Sequence, residues 1–127
     1  MNVVDSSGWL EYFVEGRNAK FFAQPIEATS ELLVPAITLY EVYKRISQLR
    51  GREPAVRAIA AMQRGTVVDL TPTLAVASAE VSLREALPMA DSIILATTRA
   101  YDAVLWTQDV DVAKIAGVKY VARRSGS

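Results

Sequence analysis

The sequence predicts an α/β fold, a three-layer α/β/α arrangement around a central, mainly parallel sheet of about five strands. Short runs of four or five residues, apolar throughout rather than alternating, mark strands covered on both faces. Helical stretches separate these runs along the chain, as a parallel sheet requires. The 127 residues are 51% apolar, and no linker or repeat interrupts them. That is enough chain and enough apolar surface for one domain over 1–127.

Asn2 to Val4 reads as the first buried strand, and Asp5-Ser6-Ser7 supplies residues that cap helices. Trp9–Glu15 and Asn18–Glu27 are short helices, the second disturbed by Pro25. Leu32-Leu33-Val34-Pro35 is the second strand, ended by proline. From Thr38 a longer helix carries Leu39, Val42, Tyr43, Ile46 and Leu49 on one face until Gly51 stops it. Pro54 suits the start of the next helix, in which Val56, Ile59, Ala60 and Met62 lead to Gly65. Thr66–Leu70 is the third strand, and Thr71–Leu87 an Ala-rich helix cut by Pro88. Ala90–Tyr101 is helical, Ala103–Trp106 the fourth strand, Val110–Ile115 a helical turn and Val118–Val121 the last strand. Residues 123–127 form a short polar tail.

Composition excludes whole classes of chemistry. With no cysteine, the chain has no disulfide framework, thiol nucleophile or zinc knuckle. With no histidine, it has no Ser-His-Asp triad and no imidazole base. Catalysis is left to carboxylates, hydroxyls, Lys, Arg, Tyr, or a metal held by oxygen. The 14 basic and 14 acidic side chains cancel, which argues against binding through global positive charge. Arg outnumbers Lys ten to four, and Arg favours planar contact with phosphate. No run is long enough to span a membrane, and the N-terminus lacks a signal-peptide pattern. The expectation is a soluble, cytoplasmic protein with no membrane partner.

Ligands in such sheets gather beyond the carboxyl ends of the strands, where the strand order reverses. Asp5 follows the first strand and Asp109 the fourth; Asp91 opens the sixth helix and Glu41 lies about one turn into the third. If the first and fourth strands are neighbours, all four acids converge. Carboxylates crowded in a dry cleft repel unless a cation neutralises them, and an all-oxygen donor set favours Mg²⁺ or Mn²⁺. Each acid also has a structural reading. Asp5 and Asp109 suit helix caps, Glu41 an exposed pair with Arg45, and Asp91 the N–H groups of a helix start. Asp111 reads as a solvated helix residue or an added member of the site, Asp102 as a turn residue, and Asp69 as structural.

These residues bring out a family likeness. The chain resembles PIN-domain proteins, and specifically VapC-type toxin ribonucleases of type II toxin–antitoxin systems. The matching stretches are the opening strand into Asp5-Ser6-Ser7, Ile37-Thr38-Leu39-Tyr40-Glu41-Val42, Ala90 to Thr97, and Leu105-Trp106-Thr107-Gln108-Asp109-Val110-Asp111. The stretch Leu87–Ala90 is shorter than the resemblance suggests. The resemblance implies an acidic quartet, Asp5, Glu41, Asp91 and Asp109, holding Mg²⁺ or Mn²⁺, with Ser6 and Thr107 orienting the ligands. It further implies RNA hydrolysis, a homodimer, and a cognate antitoxin that silences the enzyme. Arg45, Arg99, Arg123 and Arg124 are the candidates for contact with RNA phosphates, and Tyr40, Tyr43, Phe21 and Phe22 for self-association. Two rival functions share the topology: a receiver-like phosphoacceptor built on Asp69 with Lys119 as its cationic partner, and a PIN-like binding module without activity.

Overall fold

In the computed structural model, which describes residues 1–124, one sheet contains β1 (Asn2–Val4), β2 (Leu32–Pro35), β3 (Thr66–Val68), β4 (Val104–Thr107) and β5 (Val118–Tyr120). The strands run parallel in the order β3-β2-β1-β4-β5. The helices are α1 (Ser6–Phe13), α2 (Ala19–Glu27), α3 (Ala36–Arg50), α4 (Arg52–Met62), α5 (Pro72–Glu85) and α6 (Met89–Ala100), with single 3-10 turns at Thr29–Glu31 and Val110–Val112. The three-layer parallel architecture is the one expected. Of the expected polar tail, Arg123 and Arg124 are exposed and residues 125–127 lie outside the described residues.

Successive strand residues feed opposite cores. Val4, Leu32, Val34 and Trp106 pack with Trp9, Phe22, Ile26, Val42, Ile46 and Met62 on the side of α1–α4. Val3, Leu33, Val68 and Leu105 face Leu74, Val81, Ile94 and Leu95 of α5 and α6. This two-sided burial explains the uninterrupted apolar runs. Gly8 sits where α1 meets α2, and a Cβ there would lie 2.6 Å from the Phe22 ring and 2.7 Å from Val4 Cγ1. Any other residue would force those elements apart.

Several boundaries move for local reasons. Helix α1 begins at Ser6 rather than Trp9, because Asp5 caps it and accepts from Gly8 N–H. Helix α3 begins at Ala36, two residues before Thr38, whose hydroxyl bonds back to the Pro35 carbonyl at 2.7 Å. Gly51, at φ +92°, ends α3 and leads directly into α4. The apolar stripes also shift. Leu49 is 53% exposed and Val56 46%, whereas Ala55 and Ala58 are buried, allowing α4 to pack closely on α3. Of the four aromatics considered for self-association, Phe22 is wholly buried and Phe21 packs on the Trp106 ring, while Tyr40 remains exposed. No helix among the described residues is long and apolar enough to cross a membrane.

Candidate functional site

The strand order reverses between β1 and β4, which are direct neighbours with Val4 opposite Trp106. That register sets Asp5 beside Thr107, and the Thr107 hydroxyl donates to Asp5 Oδ2. Asp5 Oδ1 accepts from Gly8 N–H at 2.9 Å and from the Ser7 hydroxyl at 2.8 Å. The carboxyl is only 6% exposed. Burial pushes its pKa up, opposed by these three hydrogen bonds, with Asp109 adding to the rise. Capping and membership of the acidic group therefore coincide at Asp5.

Glu41 reaches the same end of the sheet because α3 starts at the carboxyl edge of β2. The Ser6 hydroxyl donates to its Oε1. The alternative Glu41–Arg45 pair does not form; Arg45 instead approaches Gln48 at 3.5 Å. Asp109 caps the 3-10 turn by accepting from Asp111 N–H at 2.9 Å, and its own N–H bonds Thr107 Oγ1 at 2.9 Å. Thr107 thus links Asp5 to Asp109.

Asp91 occupies the first turn of α6, whose N-terminus lies at the carboxyl edge because the helix runs back to enter β4. The N-cap of α6 is Pro88, which offers no side-chain cap. The Asp91 pKa is pushed up to about 6, first by burial and then by Asp109, Asp5, Glu41 and Asp111 in that order. Four acids therefore act on Asp91 electrostatically, as carboxylates sharing a site do. No group of three among the described residues is already gathered to hold a metal ion. Without a cation, mutual repulsion works against such a cage, and Asp5 and Asp109 are engaged as caps.

Other expected residues fall in different places. Arg99 forms a bidentate pair with Glu85, at 2.6 and 3.0 Å. That pair raises the Arg99 pKa and lowers that of Glu85. Arg45 and Arg123 both line a trench beside Ser7 and Gln108. Asp69 is exposed beyond β3, the edge strand, two strands away from β1, and Lys119 lies over the Trp106 ring at 4.5 Å. The receiver-like constellation is not assembled. Asp102 is exposed at φ +50°, the turn residue expected.

Sequence reasoning missed Ser7, Asn18 and Gln108 as supports of this end of the sheet. Asn18 and Gln108 are 2% and 3% exposed. Asn18 Nδ2 donates to Gln108 Oε1 at 2.9 Å and to the Ala122 carbonyl at 3.0 Å. Ser7 carries a local signal, its place two residues after Asp5. Asn18 carries none, since its partners lie 90 and 104 residues away.

The model of the PIN domain family matches residues 3–118. No curated protein matches. Among solved structures, a toxin–antitoxin complex from Klebsiella pneumoniae is 25% identical, with a TM-score of 0.78 over 94% of this chain and 96% of that one. A VapC from Mycobacterium tuberculosis, a sarcin-ricin loop cleaving toxin, is 17% identical with a TM-score of 0.79 over 93% and 97%. DNA-bound VapBC from Salmonella typhimurium is 15% identical with a TM-score of 0.73 over 95% and 96%.

Proposed function

The chain belongs to the PIN domain family, and from that premise we propose that it is an endoribonuclease toxin of a toxin–antitoxin pair, dependent on Mg²⁺ or Mn²⁺. The observation that carries this reading is the electrostatic coupling of Asp91 to Asp109, Asp5, Glu41 and Asp111 at the strand-order reversal. The 25% identity to a toxin–antitoxin complex supports it, and the fold is shared with a sarcin-ricin loop cleaving toxin. In this reading the partners are an RNA substrate, a cognate antitoxin and a second copy of the chain.

The residues fit a hard divalent cation. Every donor is oxygen, and Asp91 carries repulsion that its own surroundings leave uncompensated. Asp5, Asp91 and Asp109 would hold it, with Glu41 as a further ligand or as base for the attacking water, and Asp111 close by. Such an ion, when bound, would supply Lewis-acid charge and lower the pKa of a water, so that the water can pass a proton to a base and attack a phosphodiester. Hydrogen bonds from Thr107, Ser7 and Gly8 oppose the rise that burial imposes on the Asp5 pKa and aim its carboxyl group. Ser6 fixes Glu41, and Thr107 ties the Asp109 backbone to Asp5. These hydroxyls pre-organise the acids, so less rearrangement accompanies the reaction.

The test is cleavage of RNA by the purified protein in Mg²⁺ or Mn²⁺ and in EDTA. Cleavage is expected only with metal, and both Asp5→Asn and Asp91→Asn should abolish it. Equal cleavage in EDTA would overturn the proposal.

A further inference from the structure

A trench of about 380 Å³ opens beside the acidic cleft, lined at one end by Ser7 and Gln108. Both residues belong to the acidic site's support: Ser7 donates to Asp5, and Gln108 lies between Thr107 and Asp109. The apolar lining is Leu10, Val14 and Leu49, and its cations are Arg45 from α3 and Arg123 from beyond β5. Its one carboxylate, Glu11, is tied down, because Oε2 accepts from Asn18 N–H at 2.9 Å. Two cations therefore share the trench with one carboxylate, which leaves its lining net positive.

The segment carrying Arg123 is held in place. Val121 N–H bonds the Thr107 carbonyl at 3.1 Å, and buried Asn18 bonds the Ala122 carbonyl at 3.0 Å. Asn18 also clamps Gln108, whose Nε2 reaches the Ser7 carbonyl at 3.4 Å. One buried amide thus fixes Arg123 and the loop bearing Asp109 together. An exposed leucine and two arginines lining one trench, next to the acidic site, have the chemistry of a nucleotide seat. The arginines suit phosphate, and the apolar surface suits the face of a base.

Resting on the ribonuclease reading above, we infer that this trench seats the nucleotide adjacent to the scissile phosphate, with Arg45 and Arg123 on its phosphate and Leu49 against its base. Arg99, engaged with Glu85, has no part in it.

The probe is a fluorescein-labelled single-stranded oligoribonucleotide. Its affinity is measured by anisotropy in EDTA and its cleavage in Mn²⁺. The double variant Arg45→Ala/Arg123→Ala should bind about tenfold more weakly, with a salt dependence shallower by about 1.4 in log–log slope, roughly 0.7 per lost phosphate contact. Leu49→Glu, at an exposed position, sets a negative charge beside the phosphate and should weaken binding without unfolding the protein. Arg84→Ala removes one positive charge from α5 and should leave affinity unchanged. In cleavage the trench variants should raise KM and keep kcat within about twofold. Unchanged affinity and KM in both trench variants would overturn the inference, including the case where a protein segment rather than RNA fills the trench. If wild type fails to cleave in Mn²⁺ while the trench variants still lose RNA affinity, the nuclease reading fails and the RNA seat stands. If wild type cleaves and the trench variants keep a normal KM, the RNA seat fails and the nuclease reading stands.

Discussion

Asp91→Asn should make the metal-free protein more stable while abolishing its activity. The Asp91 pKa rises from 3.8 to about 6, first through burial and then through four neighbouring acids. The folded chain therefore keeps a proton on Asp91 at pH values where the unfolded chain has released it. Between those two pKa values the folded state binds more protons, so stability falls as pH rises, and the full penalty is present above about pH 7. At ~1.4 kcal/mol per pH unit the shift corresponds to about 3 kcal/mol. Asp91 is half-exposed, and solvent screening reduces this to about 1–2 kcal/mol. Its place in the first turn of α6 gives back about 0.5 kcal/mol of helix-dipole stabilisation that the amide forfeits. The net gain at pH 7.5 is about 1 kcal/mol, or about 4 °C in Tm for a chain of this length. Thermal and urea unfolding of both proteins in EDTA, at pH 7.5 and 4.5, measures it. At pH 4.5 the charge-dependent part should shrink to roughly a third. A variant less stable than wild type at pH 7.5, or one with the same gain at both pH values, would refute the charge argument.

Three further outcomes follow from single contacts. Ser6→Ala frees Glu41, so kcat should fall about tenfold while Tm moves by under ~2 °C; an unchanged kcat would remove Ser6 from the site's support. Thr107→Val deletes the hydrogen bond that most lowers the Asp5 pKa. The acid limb of the pH–rate profile should then move to higher pH, because Asp5 must ionise against burial with less help. Phe22→Ala empties a fully buried position between α2 and β1 and should cost about 3–5 kcal/mol in urea unfolding. A cost below ~1 kcal/mol would mean the Gly8–Phe22 contact is not the close packing described.

How much of this could be read from the chain depended on the range of the interactions involved. The sheet was legible because two-sided burial leaves an apolar run that needs no partner to recognise: Val3-Val4, Leu32 to Val34 and Leu105-Trp106 state it locally. Asp5, Asp91 and Asp109 were legible because strand ends and helix starts are local events. The helix faces were less so. A period of 3.6 assigned Leu49 and Val56 to the core, yet α4 packs on α3 through Ala55 and Ala58, where small side chains allow closer approach than valine. The small residues set that rotation, and hydropathy alone underweights them.

Arg99 and Arg123 show the same limit from the side of charge. Both carry a guanidinium within reach of the sheet's ends in sequence terms, and nothing local separates them. Folding places Glu85 against Arg99 in a two-bond fork where α5 packs on α6. Folding draws Arg123 toward Ser7 and Gln108 through the parallel pairing of β4 with β5 and the long-range bond from Asn18 to Ala122. An arginine's availability to a phosphate is thus a property of which carboxylate the topology delivers to it. Glu11 makes the same point: it shares the trench with Arg45 and Arg123, yet one of its oxygens turns onto the Asn18 N–H, and no ion pair joins it to either arginine among the described residues.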